Sequence, residues 1–463
     1  MYKRLKAVNP TAGTCAASRE AGLHPKSGGR RAPSGNRDPA DLGLCLRPVT
    51  QPRPQSGCPT RRVSNRFRTG RAVDPLQFFS AEQVARARSY HRPLYWAAAV
   101  ELALETAVLT VLVWSAAGSA LDPRSLPWWA RTLAYGAIVT VSLAVLRTPL
   151  AFWRGLLRER RFGFSTQTCR GWFVDRLKAT GINVVLISSL LLAVVTLART
   201  LPGWWVVPAA AAFALVAFLF SFLAPVVLAP LFNHYRPLDQ EPLRSELHTL
   251  AEQADVPIAE IRIEDTSRRT RKANAYVTGL GRTRQVVVSD TLLAEASPAE
   301  IKTVIAHELG HRRMRHVLLG TLLSVLGAIV TTAVVWALLG TRTADPHRLP
   351  LLLLIALALS LATLPALTAL SRRWERDADR FALELTRDRV AYERTFRRLA
   401  ATNLSDLDPP RLSYLILFTH PTPPERLAAA GGYKDPGRSR RSVAISERHL
   451  RSWAGRLRDF TAP

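Results

Sequence analysis

Apolar residues along this chain gather in long runs instead of recurring at helical or strand spacing. Six runs are each of the length that a helix needs to cross a hydrocarbon core: Leu94 to Ala117, Trp129 to Phe152, Ile182 to Ala198, Trp204 to Leu231, Val317 to Leu339 and Pro350 to Leu370. The pattern predicts a mainly α, multi-pass membrane protein with about six transmembrane helices. Bulk composition hides this, because 48% hydrophobic residues with a mean hydropathy of +0.04 would also suit a soluble chain. The clumping carries the information.

Between the fourth and fifth runs the periodicity changes. Leu243, Leu247, Leu250 and Ala251 keep helical spacing from Pro242 to Asp255, and Ile258 to Glu264 reads as a strand. Asn274 to Thr278 and Gln285 to Ser289 alternate around Gly279 and Gly281 as a hairpin, so a small β-sheet is expected beside the membrane helices.

Charge orients the spans. Arg is dense from Arg147 to Lys178, from Tyr235 to Arg315 and after Ser371, whereas the loops near Asp122, Pro202 and Asp345 are short and poor in charge. Basic loops stay in the cytosol, which places both chain ends there. The expected organisation is a basic arm over 1–72, a membrane region with four spans over 73–231, a domain over 232–432 that includes the last two spans, and a basic tail over 433–463. Glu101 and Glu105 sit one turn apart inside the first span. Ionisable groups at that depth face a bundle interior, so each either meets a partner such as Arg147 or lines a chamber.

The candidate chemistry lies beside the fifth run. His307-Glu308-Leu309-Gly310-His311 falls in a stretch that reads as one helix from Pro298 to about Leu339. Imidazoles four residues apart share a helical face and reach a single Zn²⁺, one per chain, while Glu308 is placed to deprotonate a water. If the last two runs form an antiparallel pair turning near Asp345, His311 lies 34 residues before that turn and Glu375 lies 30 after it. At about 1.5 Å per residue the two emerge from the membrane at similar depth, which makes Glu375 the expected third ligand. Asp379, one turn further on, suits a hydrogen bond to a ligand imidazole, while Asp377 faces elsewhere. The competing reading is an ordinary solvated face among Arg372, Arg373, Arg376 and Arg380.

With these residues in view, three further segments complete a resemblance: Ser165 to Thr168 ahead of Trp172 and Asp175, Asn274 to Gly279 leading to Ser289 to Leu293, and Thr419 to Leu427. Over roughly Pro75 to Gly432 the chain resembles the integral-membrane zinc metallopeptidases of the CAAX prenyl protease type, with HtpX-like quality-control proteases as near relatives. The resemblance implies a cytosolic gluzincin-like zinc peptidase domain, with Asn274 near the scissile peptide and His420 donating to the developing oxyanion. Read without it, Asn274 is a turn former and His420 caps a loop before Pro421. Arg426 is expected to pin the His420 loop by pairing with a carboxylate.

The function implied is that of a membrane-embedded zinc metalloendopeptidase acting on peptide or membrane-protein substrates, with an exposed strand beside the metal to receive an extended backbone. Whether it trims C-terminal segments or degrades misfolded membrane proteins stays open. The contrasting class is a non-catalytic membrane scaffold, against which the complete donor set argues.

The arm holds fifteen Lys or Arg against three acids, so about twelve of the net +28 resides there. Attraction to anionic lipid or to nucleic acid follows from such charge, with nucleic acid the weaker reading. Lys is scarce beside Arg, which suggests a GC-rich bacterial gene, and translation is expected to begin near Val73. Cys15, Cys45, Cys58 and Cys169 have no paired spacing, so no disulfide framework is expected.

Overall fold

The computed structural model describes residues 73–223, 227–279 and 281–433; the arm over 1–72 and the tail after Tyr433, with Cys15, Cys45 and Cys58, lie outside them. The amino-terminal half is built from α1 (Ala81–Trp114), the short α2 (Ala116–Leu121), α3 (Trp128–Phe152), α4 (Arg158–Arg161), α5 (Cys169–Thr200) and α6 (Val206–Leu223). A π-helical stretch, Trp153–Leu157, joins α3 to α4 without a break. The carboxy-terminal half runs β1 (Tyr235–Pro237), α7 (Leu243–Gln253), β2 (Glu260–Glu264), β3 (Ala275–Thr278), β4 (Gln285–Ser289), α8 (Asp290–Glu295), α9 (Pro298–Arg313), α10 (His316–Leu339), α11 (Leu349–Thr386), α12 (Arg389–Thr402), α13 (Arg411–Leu417) and α14 (Pro423–Gly431).

Five described helical stretches are long and apolar enough to cross a membrane: Ala81–Trp114, Trp128–Arg161, Cys169–Thr200, His316–Ala344 and Pro346–Thr386. Within the run expected over Trp204 to Leu231, the described residues place α6, whose apolar part is Val206–Phe220. α1 begins well before Leu94, with Ser80 and Gln83 forming a reciprocal capping box. Hydropathy marks only the lipid-facing part; the earlier turns bury Val84, Ala87 and Tyr90 against Tyr392, Phe396 and Leu427 of α12 and α14.

The apolar bundle buries Leu109, Tyr135, Val139, Val195, Val335 and Leu352 from five helices, together with Trp205 just before α6. Its acids are paired, as one of the two readings above required: Glu105 with Arg147, and Glu101 with Arg154 at 2.6 Å. Desolvated carboxylates at this depth need such partners.

The sheet has the order β1-β2-β4-β3, with β2 and β4 parallel and the other neighbours antiparallel, so β3 lies at an edge. The hairpin over β3 and β4 forms as expected. Gly279 has φ +81°, and a Cβ there would meet Thr283 O at 2.2 Å, so the turn needs glycine. One sheet face packs Ile261, Ile263, Val277, Val286 and Val288 against Leu247 and Leu250 of α7 and Ile301, Ile305 and Leu309 of α9.

The segment entering β3 is tied to the α4–α5 connection. Thr166 N–H donates to Arg269 O at 3.1 Å and Arg271 N–H to Phe164 O at 2.9 Å. Lys272 Nζ lies 2.7 Å from Glu159 and 2.9 Å from the Tyr90 hydroxyl, and Arg269 pairs with Asp175 at 3.0 Å.

Candidate metal centre

α9 starts from a capping box between Ser297 and Glu300 with Pro298 in its first turn, a strong local start signal. The single helix expected from Pro298 to Leu339 is instead two, because Arg315 adopts φ +57° between α9 and α10. That left-handed residue breaks the helix and has a consequence for the site. His316, five residues after His311, would point about 140° away on a continuous helix. Across the break its Nδ1 comes within 3.0 Å of His311 Nδ1.

α11 has 38 residues, so at 1.5 Å each it is roughly 57 Å long and extends well past a hydrocarbon core of about 30 Å. Its polar end packs against α9. Gly310 permits the approach, since a Cβ there would stand 3.0 Å from Phe381 Cδ1 and 3.3 Å from Phe381 Cβ. The crossing aligns buried His307, His311 and Glu375.

The donor atoms form a tight triangle. His307 Nε2 is 3.2 Å from His311 Nε2 and 3.2 Å from Glu375 Oε2, and His311 Nε2 is 3.3 Å from Glu375 Oε1. A tetrahedral Zn²⁺ with bonds of about 2.0–2.1 Å spaces its ligand atoms roughly 3.3–3.4 Å apart. Glu375 Oε2 is buried with His307 Nε2 beside it, as a carboxylate oxygen that shares a cation with that imidazole would be. Two imidazoles and a carboxylate therefore fit a divalent metal in chemistry and in size.

The outer nitrogens of both imidazoles are held. Asp379 Oδ1 lies 3.0 Å from His307 Nδ1, and Arg426 clasps Asp379 through Nη2 and through Nε at 2.9 Å. Burial opposes a charge on His307, but its bonds to Asp379 and Glu375 outweigh that, and the pKa is pushed up to about 9. Burial likewise opposes the Arg426 charge, and Asp379 reverses the direction. The Arg426 guanidinium also lies 3.8 Å over the Phe396 ring. His316, the partner of His311, stacks on Trp374 with ring centroids 5.1 Å apart.

α11 also delivers His420. Thr368 Oγ1 donates to Leu415 O at 2.6 Å, and Arg372 Nη1 donates to the carbonyls of Tyr414 at 2.9 Å and Phe418 at 2.6 Å, fixing α13 along the same helical face as Glu375. Two residues on, His420 Nε2 lies 3.3 Å from Glu375 Oε1. Thr422 and Glu425 then form the capping box of α14, which sets Arg426 toward Asp379. The carboxylate expected for Arg426 is thus Asp379, the one that also faces His307 Nδ1.

The structure brings together His307, His311, Glu375, Asp379 and His420. Glu308, half-buried on α9, lies within electrostatic reach of Arg312. Asn274 stands exposed one residue before β3 and hydrogen-bonds only Ser289 among the described residues, its N–H to Ser289 Oγ at 2.9 Å and its carbonyl from Ser289 N–H at 2.9 Å. Sequence reasoning missed His316, whose only signal was its place five residues after the second histidine, and Arg372, which it read as part of a solvated face.

Residues 237–434 match the model of peptidase family M48, and residues 68–234 match that of the CAAX prenyl protease N-terminal region with five membrane helices. The uncharacterized metalloprotease YhfN of Bacillus subtilis (strain 168) is 30% identical over 380 residues, 78% of this chain and 88% of that one. A CAAX prenyl protease 1 homolog of Arabidopsis thaliana is 26% identical over 317 residues, 65% of this chain and 73% of that one. The fold is similar to the crystal structure of S. mikatae Ste24p, with a TM-score of 0.64 at 22% identity over 76% of this chain and 89% of that one.

Proposed function

Because the chain belongs to peptidase family M48 and is a membrane metalloprotease of the CAAX prenyl protease type, we propose that His307, His311 and Glu375 hold one Zn²⁺ with Glu308 as the base. The observation that carries this reading is the triangle of donor atoms with edges of 3.2, 3.2 and 3.3 Å. The chemistry a Zn²⁺ supplies there is Lewis acidity toward a water and toward the scissile carbonyl.

The chain's own residues do the rest. Glu308 removes a proton from the attacking water and returns it to the leaving amine. His420 donates to the oxygen on which charge develops, and Asn274 holds the adjoining peptide group; neutral donors do this without competing for the cation. Asp379 and His316 fix which nitrogen of each imidazole faces the metal. The open edge of β3 receives the substrate as an extended strand. On the proposed orientation, with basic loops inward, the site opens to the cytosol.

We take extended segments of membrane or membrane-associated proteins as the substrate class. The second reading is an HtpX-like quality-control role on membrane proteins, a class of relatives within the same peptidase family. Comparing hydrolysis of a farnesylated CAAX peptide with that of its unprenylated form and of casein separates the two. The test of the mechanism is Glu308→Gln. Turnover is expected to fall by at least about 10²- to 10⁴-fold with one bound zinc retained per chain. Hydrolysis that persisted at the original rate would remove Glu308 from the role of base.

A further inference from the structure

The outer edge of β3 is closed at both ends and open in the middle. Register pairs Ala275 with Val288 and Thr278 with Gln285, and the bond from Ser289 N–H to Asn274 O shows that the even-numbered residues turn their peptide groups toward β4. Ala273, Ala275 and Val277 therefore turn theirs outward. At Ala273 the side chain of Asn403 imitates a neighbouring strand: its Oδ1 accepts from Ala273 N–H at 2.9 Å and its Nδ2 donates to Ala273 O at 3.0 Å. At Val277 the carbonyl is taken by Arg312 Nη2 from α9. Among the described residues nothing meets the N–H and carbonyl of Ala275 or the N–H of Val277. Peptide groups left unpaired at a strand edge gain partners when another strand arrives.

We propose that Asn403 and Arg312 are specificity-determining stops, so that an extended peptide running antiparallel to β3 exchanges both bonds with Ala275, accepts one from Val277 N–H, and pairs no further. From Ala273 to Val277 the edge is roughly 13 Å long, room for a short stretch of substrate and not for a continuing sheet. Arg312 immediately follows the metal-site residue His311, so the stop at Val277 is fixed to the helix that carries the site. Glu308 and Arg312 are four residues apart and share a face of α9, which sets the register of a paired peptide against the proposed base. Blocking the two ends with side chains also denies the edge to other chains that would add to the sheet.

This inference rests on the peptidase reading, and backbone N-methylation separates the two. A quenched peptide that the metal-loaded, full-length protein hydrolyses in detergent is N-methylated at one amide at a time, and KM and kcat are measured for each. In the wild type one amide, the donor to Ala275 O, should be sensitive, with KM raised about three- to tenfold. In Arg312→Met, which keeps the stem and removes the donors, a second amide two residues toward the substrate N-terminus should become sensitive by a similar factor. Arg312→Lys, able to keep a bond to Val277 O, should restore the wild-type pattern. Each ratio is taken within one variant, so an overall loss of turnover cancels, and the wild-type scan stands even if a variant does not fold. The same sensitive positions in wild type and Arg312→Met, or none in either, would overturn the proposal while leaving the peptidase reading intact. Failure of the wild type to hydrolyse any peptide would overturn both.

Discussion

Asp379 Oδ1 lies 3.0 Å from His307 Nδ1, and the Arg426 guanidinium holds both oxygens of the same carboxylate. One carboxylate thereby links two helices, α11 and α14, to the metal-site helix α9. The link works in both directions: His307 gains a fixed ring orientation, and a buried cation gains its counter-ion.

Removing that carboxylate should therefore cost twice. Asp379→Ala leaves the buried Arg426 without its counter-ion, a loss of about 3–5 kcal/mol in stability, and frees the His307 ring, lowering metal affinity about 10- to 100-fold. Thermal unfolding and zinc titration measure the two effects separately. Adding Arg426→Met should recover part of the stability and none of the affinity, since only the stranded charge is relieved.

His316 should matter although it lies outside the pentad. With His316→Ala, His311 loses the group at 3.0 Å that holds its Nδ1, and zinc affinity should drop about 10- to 100-fold by competition with a chelator. An unchanged affinity would show that the stack on Trp374 is the main role of this ring.

Gly310→Ala tests the approach of the two helices. A Cβ at 3.0 Å from Phe381 Cδ1 must move α9 or Phe381, at a cost of about 1–3 kcal/mol, and widens the donor triangle. Gly327→Ala in α10, where a Cβ meets nothing within 4 Å, is the control and should leave zinc affinity untouched. Melting temperature and zinc affinity should fall together for the first variant alone.

The raised pKa of His307, about 9, gives a pH dependence with a definite sign. In metal-free protein the protonated ring contributes stability that is complete below the unfolded value of about 6.5 and is lost as pH rises through about 9. Chelator-treated protein should thus melt lower at pH 10 than at pH 6 as far as this group is concerned. Zinc needs the neutral ring, so affinity should climb with pH, about tenfold per unit for the one proton released, and level off above about 9. Zinc titrations across that range check both statements.

Much of this architecture was legible in the residue pattern, for a physical reason. Lipid imposes its thickness on every span, so apolar runs from Leu94 onward announce the membrane helices, and i, i+4 spacing places His307 and His311 on one face wherever the helix goes. The alternation of Asn274 to Thr278 with Gln285 to Ser289 about Gly279 likewise contains its hairpin, because a turn and two strands are local.

What only the tertiary structure decided lies where distant segments meet or where the backbone departs from the regular pattern. No periodicity marks the left-handed Arg315 that ends α9 and returns His316 to His311, and the early start of α1 comes from packing that hydropathy does not register. Arg372 reads as a solvated charge until α13 is laid along α11, and Asn403 and Arg312 reveal what they hold only when β3 proves to be an edge. Local spacing fixes which side chains share a face; contacts between residues far apart in the chain depend on how helices cross, which no short window of sequence contains.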